Sequence, residues 1–363
     1  MLLAILVAAL GAAAPASGAL KAPTGGRGAT WAVVPTTTGT YAVTLAYTTK
    51  RPVLRSFKVT PAGFTTGPAL AIAPDDGLYS TVSEDGSGPC VGANVKRSPY
   101  VACVQNGAWV ERRFTGAART RYLLDVNRYG STMYAYLIEG DLGVFDGKHP
   151  ERFKLAASVV RWDGAAWVTV VPKYEFSLAQ LSSPVPCVPL AAPVCAPLLT
   201  VGKAGAERFT VRKLGADAWV PDGRSVAVRK NDSTLGPLTS FGDRLAIPVF
   251  ASTPKVSSLV VLTDSTAPRR IRVATLVGTY ASAWPDSVAG TAWIGWTDYF
   301  YFDKKETRGL VVGRAAPLDL LAGTAGPATE VYAEAFSNIP SEVQVEDIDG
   351  APYGAYVEHG RSQ

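Results

Sequence analysis

Acids that could work in pairs are the first chemical feature of this chain. Asp75-Asp76, Glu84-Asp85, Asp125, Glu139, Asp141 and Asp298 are spread along it. Two carboxylates brought to one opening can cleave a glycosidic bond, one as acid and the other as base or nucleophile. Linear spacing does not say which of these acids converge, and Asp is also a turn former. A Ser-His-acid triad needs a histidine base. The two histidines, His149 and His359, adjoin no Gly-x-Ser-x-Gly turn. Glu346-Asp347-Ile348-Asp349-Gly350 gathers a few oxygens. A hard cation wants six or more, so an Asp-Gly hairpin turn is the better account. No Cys or His spacing matches a metal site, so neither metal nor cofactor is expected. Trp293, Trp296, Tyr299, Phe300, Tyr301 and Phe302 crowd one short stretch. Exposed rings there could stack on sugars or anchor a protein. Strand alternation sends some of them to opposite faces, where packing between sheets is the competing role. Trp293, Trp296, Tyr299 and Tyr301 are the candidate ligand-binding residues.

The elements that must position these residues recur. Val104-Gln105-Asn106-Gly107-Ala108-Trp109-Val110 reads as a strand, a tight turn and a strand led by an aromatic residue. Val160-Arg161-Trp162-Asp163-Gly164-Ala165-Ala166-Trp167-Val168 repeats it, as does Val211 to Val220 around Trp219. Phe64 takes the Trp position in an earlier copy. A degenerate copy leads into Arg270-Ile271-Arg272-Val273, and a fainter one lies near Val311 to Pro317. Hairpins returning every ~45–60 residues are the pattern of four-stranded antiparallel sheets arranged as the blades of a β-propeller.

A second signature marks the strand before. Gly130 to Tyr136, Gly290 to Trp296 and Gly350 to Tyr356 align as Gly, two small or turn residues, a large residue, any residue, a small one and an aromatic. The small residue would admit a neighbouring sheet and the large ones fill the gap. The last copy falls at the end of the chain. Gly28-Ala29-Thr30-Trp31-Ala32-Val33-Val34-Pro35 echoes Gly164 to Pro172. The expectation is that this N-terminal strand completes the blade that the C-terminus begins, closing a ring without a free edge. That counts seven blades. Six remain if residues 320–363 only decorate the ring, and a fragment with a missing continuation is the third option.

Hydrophobic residues make up 47% of the 363 and charged residues 18%, so an all-β domain with a packed core is expected and disorder is not. Net charge is +5 with Lys and Arg scattered, which argues against nucleic acid as a partner. Residues 1–19 read as a signal peptide: Leu2 to Leu10 is an apolar core and Ala16-Ser17-Gly18-Ala19 offers small residues for cleavage. No Lys or Arg precedes the apolar run, so an uncleaved membrane anchor is the competing reading. Residues 20–28 are a lead-in, and 29–363 a single propeller domain. Four cysteines agree with export. Local pairing, Cys90 with Cys103 and Cys187 with Cys195, is favoured among three connectivities, and a reduced cytosolic chain is the alternative. Two long insertions, Glu139 to Lys154 and the Pro-rich Leu181 to Pro197, are loops of the kind that carry function.

On Asp349 to Glu358 and Val160 to Val170, the chain resembles bacterial exported β-propeller repeat proteins. The resemblance covers about 29–363 and implies a fold and an export route. It carries over no catalytic residues. WD40, YWTD, sialidase and kelch repeats fit poorly. Trp162-Asp163 and Trp296-Thr297-Asp298 each occur once, and Asp286, Gly290 and Trp293 miss the sialidase spacing.

The functional expectation is therefore an exported binding scaffold, monomeric, for an extracellular protein or glycan, located outside the cytoplasm or at the cell surface. The alternative is a polysaccharide hydrolase or lyase with acids at the channel mouth. A third reading is a surface component held by its N-terminal segment.

Overall fold

The computed structural model describes residues 18–21, 30–47, 52–75, 78–114, 121–129, 131–139, 154–177, 185–186, 194–201, 207–214, 219–227, 232–234, 239–241, 244–252, 255–262, 269–274, 278–285, 290–337 and 342–357. Side chains of 171–269 lie outside that description. The described residues form strands and turns and contain no helix, hence none long and apolar enough to cross a membrane.

The strands assemble into seven sheets, named A to G. Sheet A contains β1 (Gly18–Lys21) and the last two strands of the chain. Sheet B orders β2 (Thr30–Thr36), β3 (Gly39–Tyr47), β4 (Pro52–Thr60) and β5 (Gly63–Ala71). Sheet C orders β6 (Tyr79–Val82), β7 (Pro89–Val95), β8 (Ser98–Gln105) and β9 (Ala108–Arg113). Sheet D orders β10 (Arg121–Tyr129), β11 (Thr132–Glu139), β12 (Lys154–Trp162) and β13 (Trp167–Ser177). Sheet E orders β14 (Val185–Pro186), β15 (Val194–Val201), β16 (Glu207–Leu214) and β17 (Trp219–Ala227). In sheet F, β18 (Asp232–Thr234) and β19 (Thr239–Phe241) both pair with β20 (Arg244–Ser252), followed by β21 (Lys255–Leu262) and β22 (Arg269–Ala274). In sheet G, β23 (Gly278–Pro285) and β24 (Thr291–Tyr301) lead to β25 (Arg308–Asp319), on which β26 (Thr324–Ala325) and β27 (Thr329–Ser337) both pair. β28 (Glu342–Ile348) and β29 (Ala351–Val357) complete sheet A beside β1.

Where side chains are described, sheets consecutive in the chain stack face to face, as propeller blades do. Val43, Leu45 and Leu54 of sheet B meet Val91, Ala93 and Ala102 of sheet C. Cys90, Val101 and Cys103 of sheet C meet Leu123, Val126 and Met133 of sheet D. Ile271 of sheet F meets Ala292, Ile294 and Trp296 of sheet G, whose other face presents Val311 and Ala315 to Val343 and Val345 of sheet A. The faces approach so closely that some positions exclude a side chain. A Cβ on Gly92 would lie 2.5 Å from Leu123 Cδ2, and one on Gly295 would lie 2.7 Å from the Val345 carbonyl oxygen.

Polar groups bolt the apolar faces together. Asn94, 1% exposed, accepts from Leu123 N–H at 2.7 Å and donates to its carbonyl at 3.0 Å. A bulge between Leu123 and Asp125 frees those backbone groups from the strand pairing. Thr40 donates to the Asp347 carbonyl and Thr297 to that of Val343, each across a sheet boundary. The Trp of the repeated hairpin does the same at the outer edge. Trp109 donates its indole N–H to the Pro68 carbonyl of sheet B, and Trp167 donates to the Arg112 carbonyl of sheet C. The expected aromatic-led strands around Phe64, Trp109, Trp167, Trp219 and Arg270 are the last strands β5, β9, β13, β17 and β22 of their sheets. The faint copy near Val311 to Pro317 is instead part of β25, inside sheet G.

Two expectations are corrected. The strand around Trp31 does not pair with the C-terminal strand. It pairs with β3, Trp31 opposite Thr44, and β2 reaches sheet A only by its face, through Val33 against Ala355. The partner of β29 is β1, in parallel register with Gly18 opposite Tyr353 and Leu20 opposite Ala355. So residues 20 and 21 of the expected lead-in, and 18 and 19 of the expected leader, belong to a strand. The second signature also slips. Trp293, Gly295, Tyr353 and Ala355 face the following sheet, whereas Met133 and Ala135 face the preceding one. The strand after Gly130 starts one residue later than those after Gly290 and Gly350. With a period of two, one residue exchanges the faces.

Cys90 and Cys103 are paired, directly opposite each other in β7 and β8 and fully buried between sheets C and D. Cys187 lies outside the described residues, and Cys195 sits in β15 opposite Val185. Closing a loop of this size restrains the unfolded chain by about 3 kcal/mol. The double variant Cys90→Ala, Cys103→Ala is expected to lose about that much stability in urea denaturation, with an unchanged β-sheet circular dichroism spectrum. A loss below ~1 kcal/mol would mean that the hairpin alone sets this register.

Candidate functional site

The first and third connections of an up-and-down sheet emerge at the same end, and at that end sheets C and D leave an opening. A cleft of about 380 Å³ is lined by Glu84, Ser131, Thr132, Arg161, Trp162, Asp163 and Gly164. Glu84 comes from the β6–β7 connection, and Ser131 and Thr132 from the start of β11. Arg161 and Trp162 end β12, and Asp163 and Gly164 form the turn into β13. The turn is held by Asp163 itself. Its N–H donates to the Ala166 carbonyl, and its carboxylate accepts the N–H groups of Ala165 and Ala166. Those N–H groups, Ala166 first, hold the Asp163 carboxyl below its ordinary range.

The cleft rests on an ion pair. Arg112, 2% exposed, makes a two-pronged contact with the Glu84 carboxylate, and its guanidinium lies 5.1 Å from the centre of the Trp162 ring. Such a fork suits a planar carboxylate and an aromatic face together. Trp162 leans edge-on against Trp167 at 5.4 Å, and Trp167 stacks on Phe114 at 4.6 Å. Two acids and two arginines therefore line or underlie the cleft, and their charges cancel.

Among the described side chains, Glu84 lines the cleft and the other acids nominated from sequence, Asp75, Asp85, Asp125 and Asp298, are held elsewhere; the side chain of Glu139 lies outside the description. Asp75 accepts the N–H groups of Lys96 and Arg97, two residues with positive φ in the β7–β8 turn. Asp85 caps its own turn. Burial pushes its carboxyl up, but hydrogen bonds from Ser83 and Ser87 outweigh this and hold it low. Asp298, 1% exposed, accepts from the Trp296 indole at 3.0 Å and from Arg314 at 2.7 Å. Burial raises its pKa against the pull of Arg314. Asp125, at the bulge of β10, accepts from Val126 N–H and Asn127, yet burial pushes its pKa up to about 7. Asp347 accepts the Gly350 N–H in a two-residue turn with positive φ at Asp349 and Gly350, so the hairpin account of that acidic stretch holds. Asp76, Asp141, His149 and His359 lie outside the described residues, as do most of the two long insertions.

The aromatic run is split by its strand. Trp293 and Tyr299 pack half-buried at the boundary with sheet A. Trp296 faces sheet F at 1% exposure and is held by Asp298. Tyr301 is 44% exposed, edge-on to Phe336, and Phe302 beside it is 70% exposed. The nominated residues Trp293, Trp296, Tyr299 and Tyr301 are thus divided between the two faces of the sheet. Of the cleft residues only Glu84 was nominated from sequence; the others were missed, although one signal marked Trp162. The position opposite the leading aromatic is Val59, Val104 and Leu214 in sheets B, C and E, but Trp162 in sheet D.

No protein-family model and no curated protein matches the sequence. Solved structures of similar shape include the hydrazine synthase of Kuenenia stuttgartiensis, at 13% identity over 81% of this chain and 78% of that one, with a TM-score of 0.47. The periplasmic gluconolactonase of Pseudomonas aeruginosa is 11% identical over 85% of this chain and 88% of that one, with a TM-score of 0.46. The fucose-specific lectin of Aleuria aurantia is 11% identical over 85% and 81%, with a TM-score of 0.32. Likeness at these values carries no argument about activity.

Glu84→Gln leaves the buried Arg112 without its counter-charge and is expected to cost about 3 kcal/mol in urea denaturation. Glu111→Gln breaks the exposed pair with Arg113, 81% exposed, and is expected to cost below about 1 kcal/mol. Equal costs would show that the Arg112 site is solvated. Asp125 titrates with the opposite sign to a paired acid. Its pKa is raised from 3.8 to about 7, so its contribution is fully present below pH 4 and lost as pH rises through 7. Asp125→Asn is therefore expected to raise the Tm at pH 8, with a gain that fades toward pH 4. A gain independent of pH would contradict this.

Proposed function

We propose that the protein is an exported, monomeric seven-bladed β-propeller that binds a neutral saccharide in the cleft between sheets C and D. The observation that carries the ligand class is Trp162, an indole beside the Arg112–Glu84 fork in a cleft also lined by Ser131 and Thr132. A sugar ring offers an apolar C–H face to an indole and hydroxyls to carboxylates and guanidinium groups. The cancelling charges of Glu84, Asp163, Arg112 and Arg161 suit an uncharged, hydroxyl-rich ligand and disfavour a nucleic-acid backbone. A volume of about 380 Å³ lies at the small end of ligand sites and suits one or two sugar rings.

Several contacts support a closed ring of seven. Sheet A meets sheets G and B on its two faces and draws strands from both ends of the chain. β14 lies beside both β10 and β19, which continues the order through sheet E. The first turns of sheets B and C also touch, Thr37 N–H on the Gly86 carbonyl and Thr38 on that of Ser87, so neighbouring sheets run the same way. The buried Cys90–Cys103 bond and the apolar N-terminal stretch support export.

Two other readings keep one observation each. Asp125, with a pKa near 7, is an acid suited to proton donation, which favours polysaccharide cleavage. The exposed Tyr301 and Phe302 at the β24–β25 tip favour a protein ligand. A glycan array followed by calorimetry separates the three. The saccharide reading expects a glycan bound without turnover, with affinity reduced at least tenfold by Trp162→Ala and unchanged by Tyr301→Ser. Chain-length reduction of the glycan points to the enzyme. Retention of no glycan, or an unaltered affinity in Trp162→Ala, overturns the cleft as the binding site.

A further inference from the structure

We infer that the leader is cut upstream of Gly18, at the latest between Ala16 and Ser17, so that Gly18–Lys21 is retained as the first structural element of the mature chain. The inference rests on the export reading and adds to it the position of processing.

Residue types alone allow several cuts. A signal peptidase reads small residues at the last and third-last positions of the leader. Gly11-Ala12-Ala13, Ala12-Ala13-Ala14, Ala14-Pro15-Ala16, Ala16-Ser17-Gly18 and Ser17-Gly18-Ala19 all satisfy that. The fold separates them. β1 runs parallel to β29 over Gly18 to Lys21, paired with Tyr353 to Tyr356. Its alternation is that of a seated strand, with Gly18 and Leu20 turned in and Ala19 and Lys21 turned out. Leu20 packs against a cluster of Ala42, Phe57, Val59, Ile348, Ala351 and Tyr353. Gly18 lies against the Tyr353 ring, where an added Cβ would sit 3.1 Å from Cε1.

A cut after Gly18 or Ala19 removes up to half of this strand. It also exposes the edge of β29, the kind of edge that sheet proteins cover. A cut after Ala16 leaves the strand whole with one residue in front of it. Hydrolysis there adds water across a single amide: the Ala16 carbonyl becomes the leader's terminal carboxylate, and Ser17 keeps the nitrogen as a free α-amine. Gly18 and Ala19, which look like part of a cleavage signal, thus belong to a structural strand, and the recognised signal lies upstream of them.

The test exports the full chain in a bacterial host and determines the N-terminus of the protein recovered outside the cytoplasm, by intact mass and by its N-terminal peptide. A first residue no later than Ser17 is expected. A first residue of Gly18 or beyond, or a retained Met1, overturns the inference while leaving export standing; failure to recover the protein outside the cytoplasm overturns the export reading instead. Two full-chain variants address the strand itself. Ala19→Ser, on the outward side, is expected to appear in the mature mass with an unchanged Tm; its absence from that mass overturns the inference. Leu20→Asp is expected to be processed as in the parent and to lower the Tm by about 2–5 °C. An unchanged Tm overturns β1 as a seated strand.

Discussion

The close approach of neighbouring sheet faces is the constraint on which the rest of this structure depends. Flat stacking of hydrophobic strands does not by itself produce a unique arrangement, because apolar contact is not directional. Here the faces come near enough that Gly92 and Gly295 have no room for a Cβ. At that distance, side chains of one sheet reach backbone groups of the next. Asn94 imitates a strand partner for Leu123, Thr40 and Thr297 each find a carbonyl across a boundary, and Trp109 and Trp167 do so at the outer edge. Burial supplies the driving force, and these directional bonds set the register between sheets.

The same arrangement disposes of most of the acids. Asp75, Asp85, Asp163 and Asp347 hold turns whose backbone N–H groups have no strand partner. Asp298 answers a partly exposed arginine and an indole. Glu84 is different, because its partner Arg112 also supports the Trp162 ring and the pair lies under an opening. The cleft exists where sheet D departs from the repeat, with Trp162 at a position that is aliphatic in sheets B, C and E. A repeated scaffold makes equivalent positions; one altered residue makes a site.

Much of the local structure was legible. The hairpin signal around Phe64, Trp109, Trp167 and Trp219 located the last strand of four sheets, because turn residues and alternation act over a few neighbours. The Cys90–Cys103 pair was legible for the same reason, as the two residues sit opposite each other in one hairpin. The cleft was not, since Glu84, Arg112, Ser131 and Trp162 come from separate connections. The aromatic run was visible, but only the strand shows how it divides: Trp296 and Tyr301 share a strand yet face different sides of the sheet.

What the sequence by itself determined is the period-two alternation, the turns and the all-β architecture, for these follow from contacts between residues close along the chain. Tertiary structure alone decided which strand joins β29, which face each signature presents, and which acids keep company. Gly18–Lys21 finds its partner more than three hundred residues away, and nothing local to either segment encodes that pairing. A parallel pairing between the chain's extremes is set by which edge is left open once the other sheets have stacked, and that edge exists only in the folded whole.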